Sequence, residues 1–166
     1  MVHSQPVGIG LVSSRMPSKL IWDDLLIQSI PESDARTWLG YWSGMVSGRV
    51  APVFMSKFGD WFLRRTDGGT DELSVIEVTY SSVASTPDEF TSLVNTQAWQ
   101  EQHLLSLQVA QLHERGVVPQ RGQCYAFAPH PALLGGIDIE RVMLMDIGVW
   151  QHICAQHFIS QSVRIK

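Results

Sequence analysis

Trp61-Phe62-Leu63-Arg64-Arg65-Thr66-Asp67-Gly68-Gly69 is the stretch on which the fold turns. An apolar run passes into Asp67-Gly68-Gly69, the strongest hairpin signal of the chain, because glycine takes the positive φ that tight turns require. The return segment, Leu73-Ser74-Val75-Ile76-Glu77-Val78-Thr79-Tyr80, is rich in strand formers. Upstream, Val53-Phe54-Met55 is a second apolar run, separated from Trp61 by the turn signal Gly59-Asp60. These runs predict an antiparallel meander of three strands.

Helical patterns flank the meander. Ser18 is a candidate N-cap for a helix through Leu20, Ile21, Leu25 and Leu26, and Pro31 opens a second through Trp38, Leu39 and Trp42. Thr86, Pro87, Asp88 and Glu89 have the order of a capping box with proline in the first turn. The helix they start ends near Asn95. A longer one is expected from Ala98 through Leu104, Leu105, Leu107, Val109, Ala110 and Leu112, stopped by Arg115-Gly116 and covering the sheet. Gly122 leads into a strand at Cys124-Tyr125-Ala126-Phe127, stopped by Pro129 and Pro131, and Leu134-Gly135-Gly136-Ile137 reads as a turn. The fully apolar Val142-Met143-Leu144-Met145 reads as a central strand, and a last helix runs from about Ile147 to Ile159. Residues 1–17 read as a loose arm or an edge strand. Residues 18–166 then form one α+β (α/β) domain, an antiparallel or mixed sheet of about five or six strands packed by helices.

Composition narrows the function classes. The 166 residues carry a net charge of −4 and 45% apolar residues, enough for a core without staples. There is no basic run to meet phosphates, which argues against nucleic-acid binding. Two cysteines, Cys124 and Cys154, read as buried thiols of a reducing compartment. Pro6-Val7-Gly8-Ile9-Gly10-Leu11-Val12 is too short to span a bilayer and lacks the basic flank of a secretory signal, so a cytoplasmic location and no membrane partner are expected.

The chain shows no nucleophile elbow, P-loop or dinucleotide fingerprint. His152 and His157 are five apart, the wrong spacing for one helix face, and Cys154 with His157 supplies only two metal ligands. Cys124 sits within an apolar strand, where a thiol is inert. His103 and His113, ten apart on the long helix, read as surface polars. The expectation is therefore no enzyme, no cofactor, no metal and no catalytic residue. The acidic segment is more suggestive. From Asp60 to Glu89 seven acids face two bases, a local charge of −5. Asp60, Asp67, Asp71, Glu72, Asp88 and Glu89 lie at expected turns and helix starts, where they would project into solvent and steer a basic partner. Turns and caps also favour such residues for local reasons.

Phe58-Gly59-Asp60-Trp61-Phe62, the Asp67-Gly68 hairpin, the Thr86–Phe90 helix start, Gly122-Gln123-Cys124-Tyr125-Ala126-Phe127, Leu134-Gly135-Gly136, and a strand ending in Asp146 before a terminal helix occur in this order. Over residues 52–160 the pattern resembles the C-terminal domain of immunity proteins that neutralise type VI secretion DNase toxins, a family long catalogued as a domain of unknown function. Residues 18–50 look abbreviated beside the fuller N-terminal module of longer relatives. The resemblance implies a non-enzymatic protein that binds and blocks a toxin, with a basic nuclease effector as partner. It implies structural rather than chemical work for Phe58, Gly59, Asp60, Gly122, Gln123, Cys124, Tyr125, Gly135 and Gly136. The alternatives are a protein-binding or regulatory scaffold, and a hydrolase or small-ligand binder using Cys124 or a histidine. The oligomeric state is left open.

Overall fold

Five strands run as an antiparallel meander in chain order: β1 (Leu26–Ile27), β2 (Val50–Ser56), β3 (Trp61–Arg65), β4 (Thr70–Ser74) and β5 (Thr79–Ala84). This computed structural model describes Gly10 and residues 20–163. Apart from Gly10, the expected arm over residues 1–17 and the Ser18 cap lie outside the described residues. The predicted hairpin joins β3 to β4: Gly68 stands at φ +91 and the Asp67 carboxylate accepts the Gly69 N–H at 2.9 Å. Pro52 is tolerated within β2 because β1 pairs only with Met55 and Ser56. A second sheet pairs β6 (Gln123–Phe127) antiparallel with β7 (Val142–Asp146). The helices are α1 (Trp22–Leu25), α2 (Glu32–Gly40), α3 (Pro87–Val94), α4 (Gln97–His103), α5 (Ser106–Glu114) and α6 (Ile147–Val163). The fold is α+β, a single domain, as expected. The capping box forms at α3: Thr86 Oγ1 accepts from Glu89 N at 3.1 Å, and Glu89 reaches back to Ser85 N at 2.7 Å.

Four expectations are corrected. The apolar segment 73–80 is two strands joined by a buried turn. Val75, Ile76 and Val78 are buried within it, and Val78 takes φ +57, an unusual conformation for a β-branched residue. A carboxylate from another turn overrides strand propensity here. Asp60 Oδ1 accepts the Val75 N–H at 2.7 Å, while Ser74 Oγ accepts from Glu77 N at 3.2 Å. The expected long helix is broken into α4 and α5, with Leu105 at φ +52 between them. Val109 and Leu112 still reach the core, but Leu107 is left in solvent. The first helix stops at Leu25 and Leu26 enters β1 instead. Most relevant to function, β7 is an outer strand with β6 as its neighbour, and Met143 is exposed. A short apolar run does not by itself say that both faces are covered.

The two sheets and the last helix meet at Phe58-Gly59-Asp60. Ser56 Oγ accepts the N–H groups of Phe58 and Asp60 at 3.2 and 3.1 Å, which shapes the turn. The buried Phe58 ring packs on Tyr125 and Phe127, with centroids 5.0 and 5.7 Å away. From α6, Trp150 Nε1 donates to the Phe58 carbonyl and Gln151 Nε2 to the Gly59 carbonyl, both at 2.8 Å. Gln151 Oε1 in turn accepts from the indoles of Trp61 at 2.9 Å and Trp42 at 3.3 Å. Every polar atom of this buried knot has a partner, as burial demands.

Candidate functional site

The six acids expected to form one surface divide into two groups. Asp60 and Asp71 are buried and Glu72 is nearly so, which corrects the expectation that they project into solvent. Asp71 pairs with Arg65 and accepts the Tyr80 hydroxyl at 2.6 Å. Burial, then the hydrogen bond to Asp71, pushes the Tyr80 pKa up. Asp67, Asp88 and Glu89 face solvent. A Cβ placed on Gly68 would lie 3.3 Å from Pro87 Cδ, so the hairpin tip and the α3 start are neighbours and these three acids share one corner. Asp67 spends part of its charge on Arg65, at 3.1 Å.

Two of the inward acids, Asp60 and Glu72, border a cleft of about 210 Å³ lined also by Glu77, Ser81, Gln102, His103 and Ile137, among others. Glu72 Oε2 lies 2.7 Å from His103 Nδ1, and the imidazole stacks on Trp99 with centroids 4.7 Å apart. His103 is therefore not the surface polar it resembled: its side chain is 18% exposed. The two residues are 31 apart in sequence and meet only because β4 passes α4. A carboxylate-oriented imidazole at a cleft can accept a proton. His113 is likewise partly covered, 3.9 Å from Asp24.

Burial, reinforced by the Glu72 charge and opposed by the Val75, Ile76 and Ser74 hydrogen bonds, pushes Asp60 up to about 8. The folded state thus holds a proton there that the unfolded chain releases near its ordinary value. Asp60 contributes stability that is complete below about pH 4 and is lost as pH rises toward 8. Asp60→Asn keeps an acceptor for Val75 N and removes the group that titrates. We expect it to flatten the pH dependence of urea-unfolding stability between about pH 4 and 8, where each unit is worth at most about 1.4 kcal/mol. An unchanged slope in the variant would contradict the assignment.

Cys124 is fully buried, and burial followed by the Asp146 charge pushes its thiol pKa up. Burial does the same to Cys154, followed by the charge of Asp60. Cys124 is thereby removed as a nucleophile candidate. His152 is exposed beside Tyr41, and among the described residues no group of three or more His, Cys, Asp or Glu is placed to hold a metal ion. His157 stacks on His130 at 4.2 Å. His130 is buried and N-caps the 3-10 turn Pro131–Leu133, its Nδ1 accepting from Ala132 N at 3.1 Å while Nε2 donates to the Val75 carbonyl at 2.8 Å. With one acceptor and one donor role filled, the ring is neutral, in keeping with a pKa lowered by burial.

The remaining motif residues shape the backbone and the core. Gly122 and Gly135 take φ +83 and +74. Gly136 lies in the exposed turn. The Gln123 side chain accepts from Gln120 N at 3.0 Å, and the Tyr125 hydroxyl donates to the Val117 carbonyl at 2.8 Å.

What sequence reasoning missed is the rim beyond His130. Leu133, Leu134, Ile137 and Met143 are 67%, 46%, 41% and 42% exposed. They occur within eleven residues, and Ile137 also lines the cleft, so rim and cleft adjoin. Asp138, Glu140 and Asp146 accompany them, against Arg141. Arg141 pairs with Asp138 at 3.3 Å and Arg115 with Glu140 at 2.7 Å, both in exposed, weakly coupled geometry. The available signal was a set of large apolar residues inside a Pro/Gly-rich connection too irregular to bury them.

No family model matches the chain, and no curated protein matches it. Among solved structures, the fold is similar to that of Atu4351 from Agrobacterium tumefaciens, with a TM-score of 0.60 at 17% identity, over 80% of this chain and 67% of that one. At that identity the likeness shows the fold alone. Among the described residues, no helix is long and apolar enough to cross a membrane.

Proposed function

We propose that this domain is a non-enzymatic binder of a basic polypeptide, and that it blocks that partner by occlusion in the manner of an immunity protein facing a secreted nuclease toxin. The observation that carries the reading is the apolar rim of Leu133, Leu134, Ile137 and Met143 bordered by carboxylates. Exposed apolar residues grouped within a polar border are how protein interfaces look before they close. The motif order from Phe58 to Asp146 supports the immunity assignment. The buried, reduced Cys124 and Cys154 support a cytoplasmic setting.

The test is co-expression with the product of the neighbouring gene, scored by co-purification and by rescue of growth. Leu133→Ser combined with Ile137→Ser is expected to weaken capture at least about tenfold, roughly 1.4 kcal/mol, because it removes the apolar contact without adding charge, and to leave the melting temperature little changed because both side chains are exposed. Full affinity in that double variant would overturn the site. If capture succeeds but the partner is an acidic host protein and no toxin, the scaffold alternative replaces the immunity reading.

A second reading is favoured by the Glu72–His103 pair at the cleft, which suits a hydrolase or small-ligand binder. Under it, His103→Gln abolishes turnover of an ester or phosphoester panel while partner capture is unaffected. Under the first reading there is no turnover to abolish.

A further inference from the structure

We infer that β7 receives an extended segment of the basic partner as a third strand of the small sheet. This rests on the protein-binding reading above and specifies how the partner is held.

The argument begins with the ladder. β6 and β7 are antiparallel, and hydrogen bonds from Ala128 N to the Arg141 carbonyl and from Ile147 N to the Gly122 carbonyl, both 3.0 Å, bracket the pairing. Antiparallel ladders alternate, so Met143 and Met145 make the intervening bonds to β6. The backbone groups of Val142, Leu144 and Asp146 then point the other way. Val142 N–H turns back to the Ile139 carbonyl. The Val142 carbonyl, both Leu144 groups and the Asp146 N–H remain, and among the described residues none of them meets a backbone partner. The far flank of β6 is engaged, since Tyr125 N donates to the Lys57 carbonyl at 2.8 Å. Among the described residues, the open side of this sheet is therefore the β7 side.

An open edge is a template for another strand, and native proteins shield such edges with lysine, proline or a covering element. This one carries none of those within β7. Its residues are Val142, Met143, Leu144, Met145 and Asp146. Met143 within it is exposed, Leu133, Leu134 and Ile137 are exposed in the connection that leads into it, and charge selects the occupant. Asp138 and Glu140 are matched by Arg141 and Arg115, which leaves Asp146, on β7 itself, as the acid of this group with no ion pair among the described residues, in a chain whose net charge is −4. A segment alternating lysine or arginine with apolar residues satisfies the backbone groups, the rim and the carboxylates together.

The experiment uses the full ¹⁵N-labelled protein and three blocked pentapeptides: alternating lysine and valine, the same peptide with every peptide nitrogen methylated, and alternating glutamate and valine. The lysine peptide is expected to shift the Leu144 and Asp146 amides and slow their hydrogen exchange. The methylated and glutamate peptides should bind at least tenfold more weakly. Leu144→Pro should abolish the effect: it deletes one outward N–H, and proline is tolerated on edge strands. The peptide comparison on the unaltered protein stands if that variant does not fold. Equal binding of the methylated peptide, shifts confined to the Asp88–Glu89 corner, or no shift with any peptide would each overturn strand addition. The protein-binding reading fails separately, if the rim variants leave partner capture unchanged.

Discussion

Gln151→Leu is expected to destabilise the domain by at least about 3 kcal/mol, because one side chain completes three buried groups that no neighbour can take over. The indoles of Trp42 and Trp61 both donate to Gln151 Oε1, and the Gly59 carbonyl accepts from its Nε2. Leucine fills nearly the same volume, so the loss is one of hydrogen bonding. Each orphaned group costs about 1–3 kcal/mol once water is excluded. For a domain of this size that corresponds to a fall of about 6–12 °C in Tm. The check is thermal unfolding followed by circular dichroism, with the Trp42 and Trp61 indole resonances as local reporters. A fall below about 2 °C would mean that the knot relaxes or admits water.

Gly59→Ala should be comparably damaging for a different reason. Gly59 stands at φ +95, and a Cβ there would lie 2.9 Å from Trp150 Cδ1 and 3.0 Å from Gln151 Nε2. The left-handed conformation costs about 1–2 kcal/mol for a residue with a Cβ. Crowding against a packed indole adds about 1–3 kcal/mol. Gly48→Ala is the internal control: Gly48 has φ +76 but nothing within 4 Å of its would-be Cβ, so it feels only the conformational part. A Gly59→Ala loss no greater than that of Gly48→Ala would show that α6 gives way freely.

The local elements were readable where local chemistry decides them. Asp67-Gly68 is a turn because of φ, and Thr86 to Glu89 starts a helix because side chains meet its N–H groups. The failures share a cause at longer range. Val75, Ile76 and Val78 look like strand, yet a carboxylate fifteen residues upstream holds Val75 N and bends them into a buried turn. The acids suffered the same way: Asp60 and Asp71 have turn-like neighbourhoods, but tertiary partners draw them inward. Glu72 and His103 are 31 residues apart, and no spacing rule joins them. The rim was invisible for the opposite reason. Leu134 and Ile137 read only as parts of a turn and Met143 as part of a central strand, and neither reading says that these apolar side chains stand in solvent.

The Gln151 knot also bears on how the chain is made. The hairpins of β2 to β5 join segments close in sequence, whereas the Trp61 indole waits for a residue 90 positions later. At about 5–20 residues per second of synthesis, that interval is about 5–18 s. Throughout it the nascent meander leaves the ribosome with part of its greasy side uncovered. Yield in a host cell should therefore depend on translation pace through the second half of the message, and on whatever chaperone shelters the first half meanwhile.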